Sequence, residues 1–154
     1  MPSLLRMNPL HRHSVVLVSI FVGAMATAPG VHAAPAQCPQ PRFTGKAPDD
    51  YYKRTNPLAA SSAKAGEAMY QGEAGPSNCA ICHGAKGDGR GILASQYDPP
   101  PRNFACAMTI NGVPDGQLFW IIRFGSPGTA MPPHPALNDD QVWQLVLYLR
   151  QLSK

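Results

Sequence analysis

The sequence predicts a small, loop-rich all-α domain with about three main helices. Helical spacing of apolar residues recurs in three separate segments, and no stretch shows the apolar–polar alternation of a half-buried strand. The segments between them are crowded with glycine and proline, 14 and 17 of 154 residues in all. No internal repeat is visible.

Residues 1–33 are expected to lie outside that domain. Arg6, His11, Arg12 and His13 form a basic start, and residues 14–26 (SVVLVSIFVGAMA) are an apolar run too short for a comfortable bilayer span. Val31 and Ala33 are placed for a signal peptidase, so the stretch reads as a secretory signal cleaved after Ala33 or Ala34. An uncleaved anchor is the alternative. Cleavage leaves a chain expected in the periplasm, with no membrane span. The formal charge of +4 then falls to +2, because Arg6 and Arg12 leave with the signal while all nine acidic residues stay. That near balance, without a Lys/Arg run or interleaved aromatic and basic residues, argues against nucleic-acid binding.

Residues 34–60 are proline-rich, lack periodicity and read as an extended N-terminal arm, with the remaining domain at 61–154. A first helix is expected from Ser61 or Ser62, either able to cap it, to about Gln71, with Gly66 and Tyr70 on one face. Residues 72–104 are expected to be mostly loop. A second helix is expected over 113–125, with Pro114 near its start, Leu118, Ile121 and Ile122 on one side and Gly125 as its stop. Four prolines forbid helix in 126–137. The last helix is capped by Asn138 with Gln141 at its third position, and Asp139 and Asp140 suit its positive end. Val142, Leu145, Val146, Leu149 and Leu152 form its apolar stripe. Three short helices make a poor core, which a large apolar cofactor would complete.

The chemistry lies in Cys79-Ala-Ile-Cys82-His83. A structural zinc site wants four ligands, commonly two close pairs, and only one such pair exists. A thiol–disulfide switch wants the pair at a strand-to-helix junction, and "GEAGPSN" is not a strand. Haem suits every residue. Two thiols form thioethers with the vinyl groups, and the adjacent histidine becomes the proximal ligand. For the second axial position the candidates are Met69, Met108, Met131 and His134. Met131 is preferred because Pro127, Pro132 and Pro133 stiffen its loop, with His134 as its rival. Cys38 and Cys106 are left over. In an oxidising compartment they either pair, pinning the arm to the domain, or remain separate thiols.

Over residues 61–152 the chain resembles a mono-haem class I cytochrome c of the bacterial periplasmic type. The likeness rests on the haem motif, the following "GAKGDGRG", "PPPRNF", "DGQLFWII…GSPGTAMP" and the terminal "WQLVLYLRQL". Tyr97, Pro99, Pro101 and Phe104 match a family pattern in which leucine usually stands at the first position. His134 stands where an aromatic residue is common, and Phe124 where asparagine is common. The resemblance implies crossed terminal helices carrying Gly66, Tyr70, Trp143 and Tyr148, one covalent haem c, His83 as proximal ligand and Met131 as distal ligand. Arg102, Arg123 and Trp120 are the candidates near the propionates.

The function expected is one-electron transfer between periplasmic redox proteins, without catalysis by this chain. Lys86 and Arg90 stand ready to steer an acidic partner or simply to solubilise the surface. Two alternatives remain. An open or displaceable distal site would make a gas sensor or peroxidase-like enzyme, and the same domain would also serve as an electron-entry subunit of a larger oxidoreductase.

Overall fold

Two helices that meet through a glycine set the frame of the domain. The computed structural model describes residues 37–40 and 43–153, so the expected signal segment and the cleavage expected after Ala33 or Ala34 lie outside the described residues. The described chain contains α1 (Asp49–Tyr52), α2 (Ala63–Gln71), α3 (Ala80–His83), α4 (Ala107–Ile110), α5 (Asp115–Phe124) and α6 (Asp139–Leu152). Among the described residues there is no strand.

Helix α2 follows a 3₁₀ turn at Ala60–Ser62 and ends at Gly72, where φ is 79°. Ser62 occupies the position before the helix, but its side chain makes no capping hydrogen bond there. The start of α2 is instead organised by the preceding turn. α2 crosses α6 at Gly66, where a Cβ would lie 2.1 Å from the carbonyl oxygen of Gln144. Only a residue without a side chain lets the two backbones approach so closely. Beside the crossing, Tyr70 and Tyr148 pack with ring centroids 5.2 Å apart.

Helix α6 begins with the expected capping box. Gln141 N donates to Asn138 Oδ1 at 2.9 Å, and Asn138 N donates to Gln141 Oε1 at 2.8 Å. These bonds satisfy donors that a helix start otherwise leaves to water. Val142, Leu145, Val146 and Leu149 are buried. Helix α5 contributes Leu118, Phe119 and Ile122 to the same core, and Phe119 lies 4.4 Å from Trp143 between ring centroids. Arg150 of α6 ties in the α4–α5 connection, donating to Ile110 O, Val113 O and Asp115 Oδ1.

The arm departs from the unpacked, extended form expected for it. Asp49–Tyr52 is a helical turn held against α5, where a Cβ on Gly116 would fall 1.9 Å from Tyr51 O. Tyr51 stacks on Phe119. Asn56 donates to Trp143 O at 2.9 Å, and Leu58 packs on the core. Earlier in the arm, Gln117 of α5 reads the backbone with both ends of its amide. Its Nε2 donates to Gly45 O at 2.9 Å, and its Oε1 accepts from Ala47 N at 2.7 Å. These contacts come from isolated residues on a strip without period, so hydrophobic patterning carries no sign of them. The sulfur atoms of Cys38 and Cys106 meet, with Cα atoms 5.6 Å apart, a separation typical of a bridge.

Candidate haem site

Cys79, Cys82 and His83 share one helical turn. Cys79 stands just before α3 and His83 ends it, with His83 N donating to Cys79 O at 2.9 Å. Three- and four-residue spacing on a helix brings side chains to the same face, which is why this motif can present two thiols and an imidazole together.

So short a helix cannot satisfy its own ends, and the glycine-rich segment after it does so. Gly89 N donates to His83 O at 2.8 Å, Gly91 N to Cys82 O at 3.1 Å, and Leu93 N to Ile81 O at 3.0 Å. A Cβ on Gly91 would lie 2.3 Å from Ile81 O, so the returning loop lies directly on the motif. Tyr70 reaches over from α2 and donates its hydroxyl to Gly84 O at 2.8 Å. Burial, chiefly, raises the Tyr70 phenol and keeps it a donor.

His83 is buried. Its Nδ1 pairs with Arg102 O at 3.0 Å, and its ring stacks on Phe104 at 4.4 Å between centroids. Nε2 lies on the opposite edge of the ring. Burial, and then the neighbouring Cys82, pushes the Cys79 thiol up to about 11.

The segment carrying Met131 is a closed loop fixed by its own hydrogen bonds, two of them made by the Thr129 hydroxyl. Ser126 N donates to Met131 O at 3.2 Å, Thr129 Oγ1 to Ser126 O at 2.8 Å, and Met131 N to Thr129 Oγ1 at 3.2 Å. At Gly125, where φ is 81°, a Cβ would lie 2.9 Å from Met131 O. His134 N donates to Arg123 O at 3.3 Å, returning the loop to α5. Burial lowers the pKa of the His134 imidazole.

These parts meet in one cavity of about 680 Å³, whose lining includes Cys79, Cys82, His83, Met131 and His134. All four residues expected at the site therefore face the same space. Ile110, Leu118, Ile122 and Leu149 make its walls apolar, and Tyr97, Pro99, Pro101 and Phe104 also line it. Of the other methionines, Met69 is buried in the core, while Met108 lines the cavity but is exposed. Arg102 lines the cavity, whereas Arg123 is engaged by Leu137 O and Asp139, and Trp120 does not line it.

The residues fit a haem. The cavity is large, apolar and bordered by two free thiols and a histidine whose outer nitrogen is already paired. Thr109 and Gln117 add polar side chains to a lining that is otherwise mostly apolar. Sequence reasoning missed Gln40, Gln117 and Thr109. Amides and hydroxyls on irregular chain have no periodic signature.

The sequence model of the cytochrome c family matches residues 63–153. No curated protein sequence matches the chain. Among solved structures, a chain of the reducing HAO-like protein complex of Kuenenia stuttgartiensis is similar, with 28% identity and a TM-score of 0.54. The likeness covers 64% of this chain and 47% of that one, so this chain corresponds to less than half of its neighbour. Among the described residues, no helix is long and apolar enough to cross a membrane. With its haem motif on one helical turn facing an apolar cavity, and a family match across more than half its length, the chain belongs to the cytochrome c family and carries haem c attached through Cys79 and Cys82.

Proposed function

We propose that the protein is an exported, periplasmic one-electron carrier whose haem iron is ligated by His83 and Met131, and that it catalyses no reaction of its own. The observation that carries this reading is the shared cavity, in which His83 and Met131 border the same apolar space. Haem would supply the one-electron couple, and a soft thioether among its ligands would favour the reduced state.

The chain's residues do the rest. The Arg102 carbonyl orients the His83 ring and increases its basicity. Phe104 restrains the ring from one side. The hydrogen-bonded loop from Ser126 to Met131 holds the thioether in place without a helix behind it. His83 and Met131, as the residues that would hold the iron, would leave oxygen and substrates no place on it. Apolar walls exclude water, so little reorganises when an electron arrives. The Cys38–Cys106 disulfide belongs to the same reading, since an exported chain meets an oxidising compartment.

Absorption spectra of the oxidised and reduced protein test the assignment. A low-spin spectrum unchanged by carbon monoxide, with the weak near-infrared sulfur-to-iron band, is the expected result. Ready carbon monoxide binding would overturn it in favour of an open site.

The likeness to one chain of a larger protein complex favours a second reading, in which this domain feeds electrons into an oxidoreductase assembly. Co-purification of the native protein with a stoichiometric larger partner would establish it, and recovery as a free monomer would remove it.

A further inference from the structure

Arg102 O, the partner of His83 Nδ1, belongs to a segment without helix or strand. A loop carbonyl orients an imidazole only as firmly as the loop itself is held. The holding group comes from the arm. Gln40 Nε2 donates to Pro101 O at 3.0 Å, and Gln40 Oε1 accepts from Asn103 N at 2.7 Å. The side-chain amide therefore engages backbone groups on both sides of Arg102, as a neighbouring strand would. The Gln40 backbone carbonyl also accepts from Arg102 Nη1 at 3.4 Å, and Arg102 Nη2 donates to Thr44 Oγ1 at 2.7 Å. Gln40 is placed two residues beyond Cys38, whose sulfur meets that of Cys106, and Gln117 fixes the arm again at Gly45 and Ala47.

We propose that Gln40 is a positioning residue for the proximal ligand: by clamping the peptide units that flank Arg102, it fixes the acceptor of the His83 Nδ1 hydrogen and thereby lowers the reduction potential of the haem. The inference rests on His83 being the iron's proximal ligand. Firm donation from Nδ1 makes the imidazole more basic, which favours ferric iron. An acceptor carbonyl released from its clamp weakens that donation and raises the potential. The arm is then part of the electron-transfer site and more than a tether.

The test uses the haem-loaded protein with Gln40→Met, which keeps the volume, and Gln40→Ala. Midpoint potential and proton exchange at His83 Nδ1 in the reduced protein are the readouts. Both variants are expected to raise the reduced-to-oxidised ratio at fixed ambient potential by up to about tenfold, equivalent to 59 mV for one electron. Exchange at Nδ1 is expected to accelerate, while the sulfur-to-iron band stays unchanged, separating this effect from general loosening. An unmoved potential in both variants overturns the proposal while His/Met ligation stands. The unaltered protein gives a test that needs no variant: unprotected, fast-exchanging Asn103 N–H would overturn the clamp directly. A wild-type spectrum that is not low-spin would overturn both the clamp's role and the ligation beneath it.

Discussion

Gly66 and Gln144 lie so close that a Cβ on the glycine would sit 2.1 Å from the glutamine's carbonyl oxygen. This contact joins α2 to α6, and its atoms are backbone, which cannot swing aside as a side chain could. Gly66→Ala is therefore expected to force the helices apart and cost about 3 kcal/mol, at the upper end of overpacking effects. Denaturant unfolding of the haem-loaded protein, followed by circular dichroism, measures it. A loss under about 1 kcal/mol would mean that the crossing yields more easily than its geometry implies.

Met131→Ala removes the thioether that faces the haem cavity. Loss of the sulfur-to-iron band, a lower midpoint potential and new carbon monoxide binding are expected, because the soft ligand favours ferrous iron. His134→Ala is expected to leave the band in place. Absence of the band from the unaltered protein, with carbon monoxide binding opened by His134→Ala and not by Met131→Ala, would make His134 the distal ligand.

The Cys38–Cys106 bridge would close a loop with a sequence separation of 68. By loop entropy, Cys38→Ser with Cys106→Ser is expected to cost about 4 kcal/mol. Intact mass with and without reductant checks that the bridge exists, and denaturant unfolding measures its contribution. Alkylation of both thiols without reductant would show that they do not pair.

Gln117 satisfies two backbone groups of the arm at once, and it is buried. Gln117→Leu would strand the buried Ala47 N, while the exposed Gly45 O can turn to water, with an expected loss of about 1–3 kcal/mol. Hydrogen exchange should show the arm, rather than α6, losing protection.

Burial holds the His134 pKa below its ordinary value, so the fold favours the neutral ring. Between that lowered value and about 6.5, the unfolded chain binds more protons than the folded one. This contribution to stability is complete above about pH 6.5 and is lost as pH falls through the lowered value. His134→Gln is expected to flatten the decline in unfolding free energy between pH 7.5 and pH 5, as urea titrations at several pH values would show. An unchanged slope would assign the decline to other groups.

Local chemistry determined much of this protein from sequence alone. The spacing of Cys79, Cys82 and His83 requires one turn to present all three, and covalent haem follows from their types. The capping pair Asn138 and Gln141 starts α6, and the stripe from Val142 to Leu149 selects its buried face. Each depends on residues a few positions apart, where helix geometry is set by the chain itself.

Tertiary structure decided how the arm is used. Gln40 meets Pro101 and Asn103 across more than sixty residues, and Gln117 meets Gly45 and Ala47 across about seventy. An amide bonds equally well to any exposed backbone group, so nothing in its identity names its partner. Only the folded path of the chain, drawn in at Cys38 and Cys106 and packed through Tyr51 on Phe119, brings the arm to the carbonyl that holds His83.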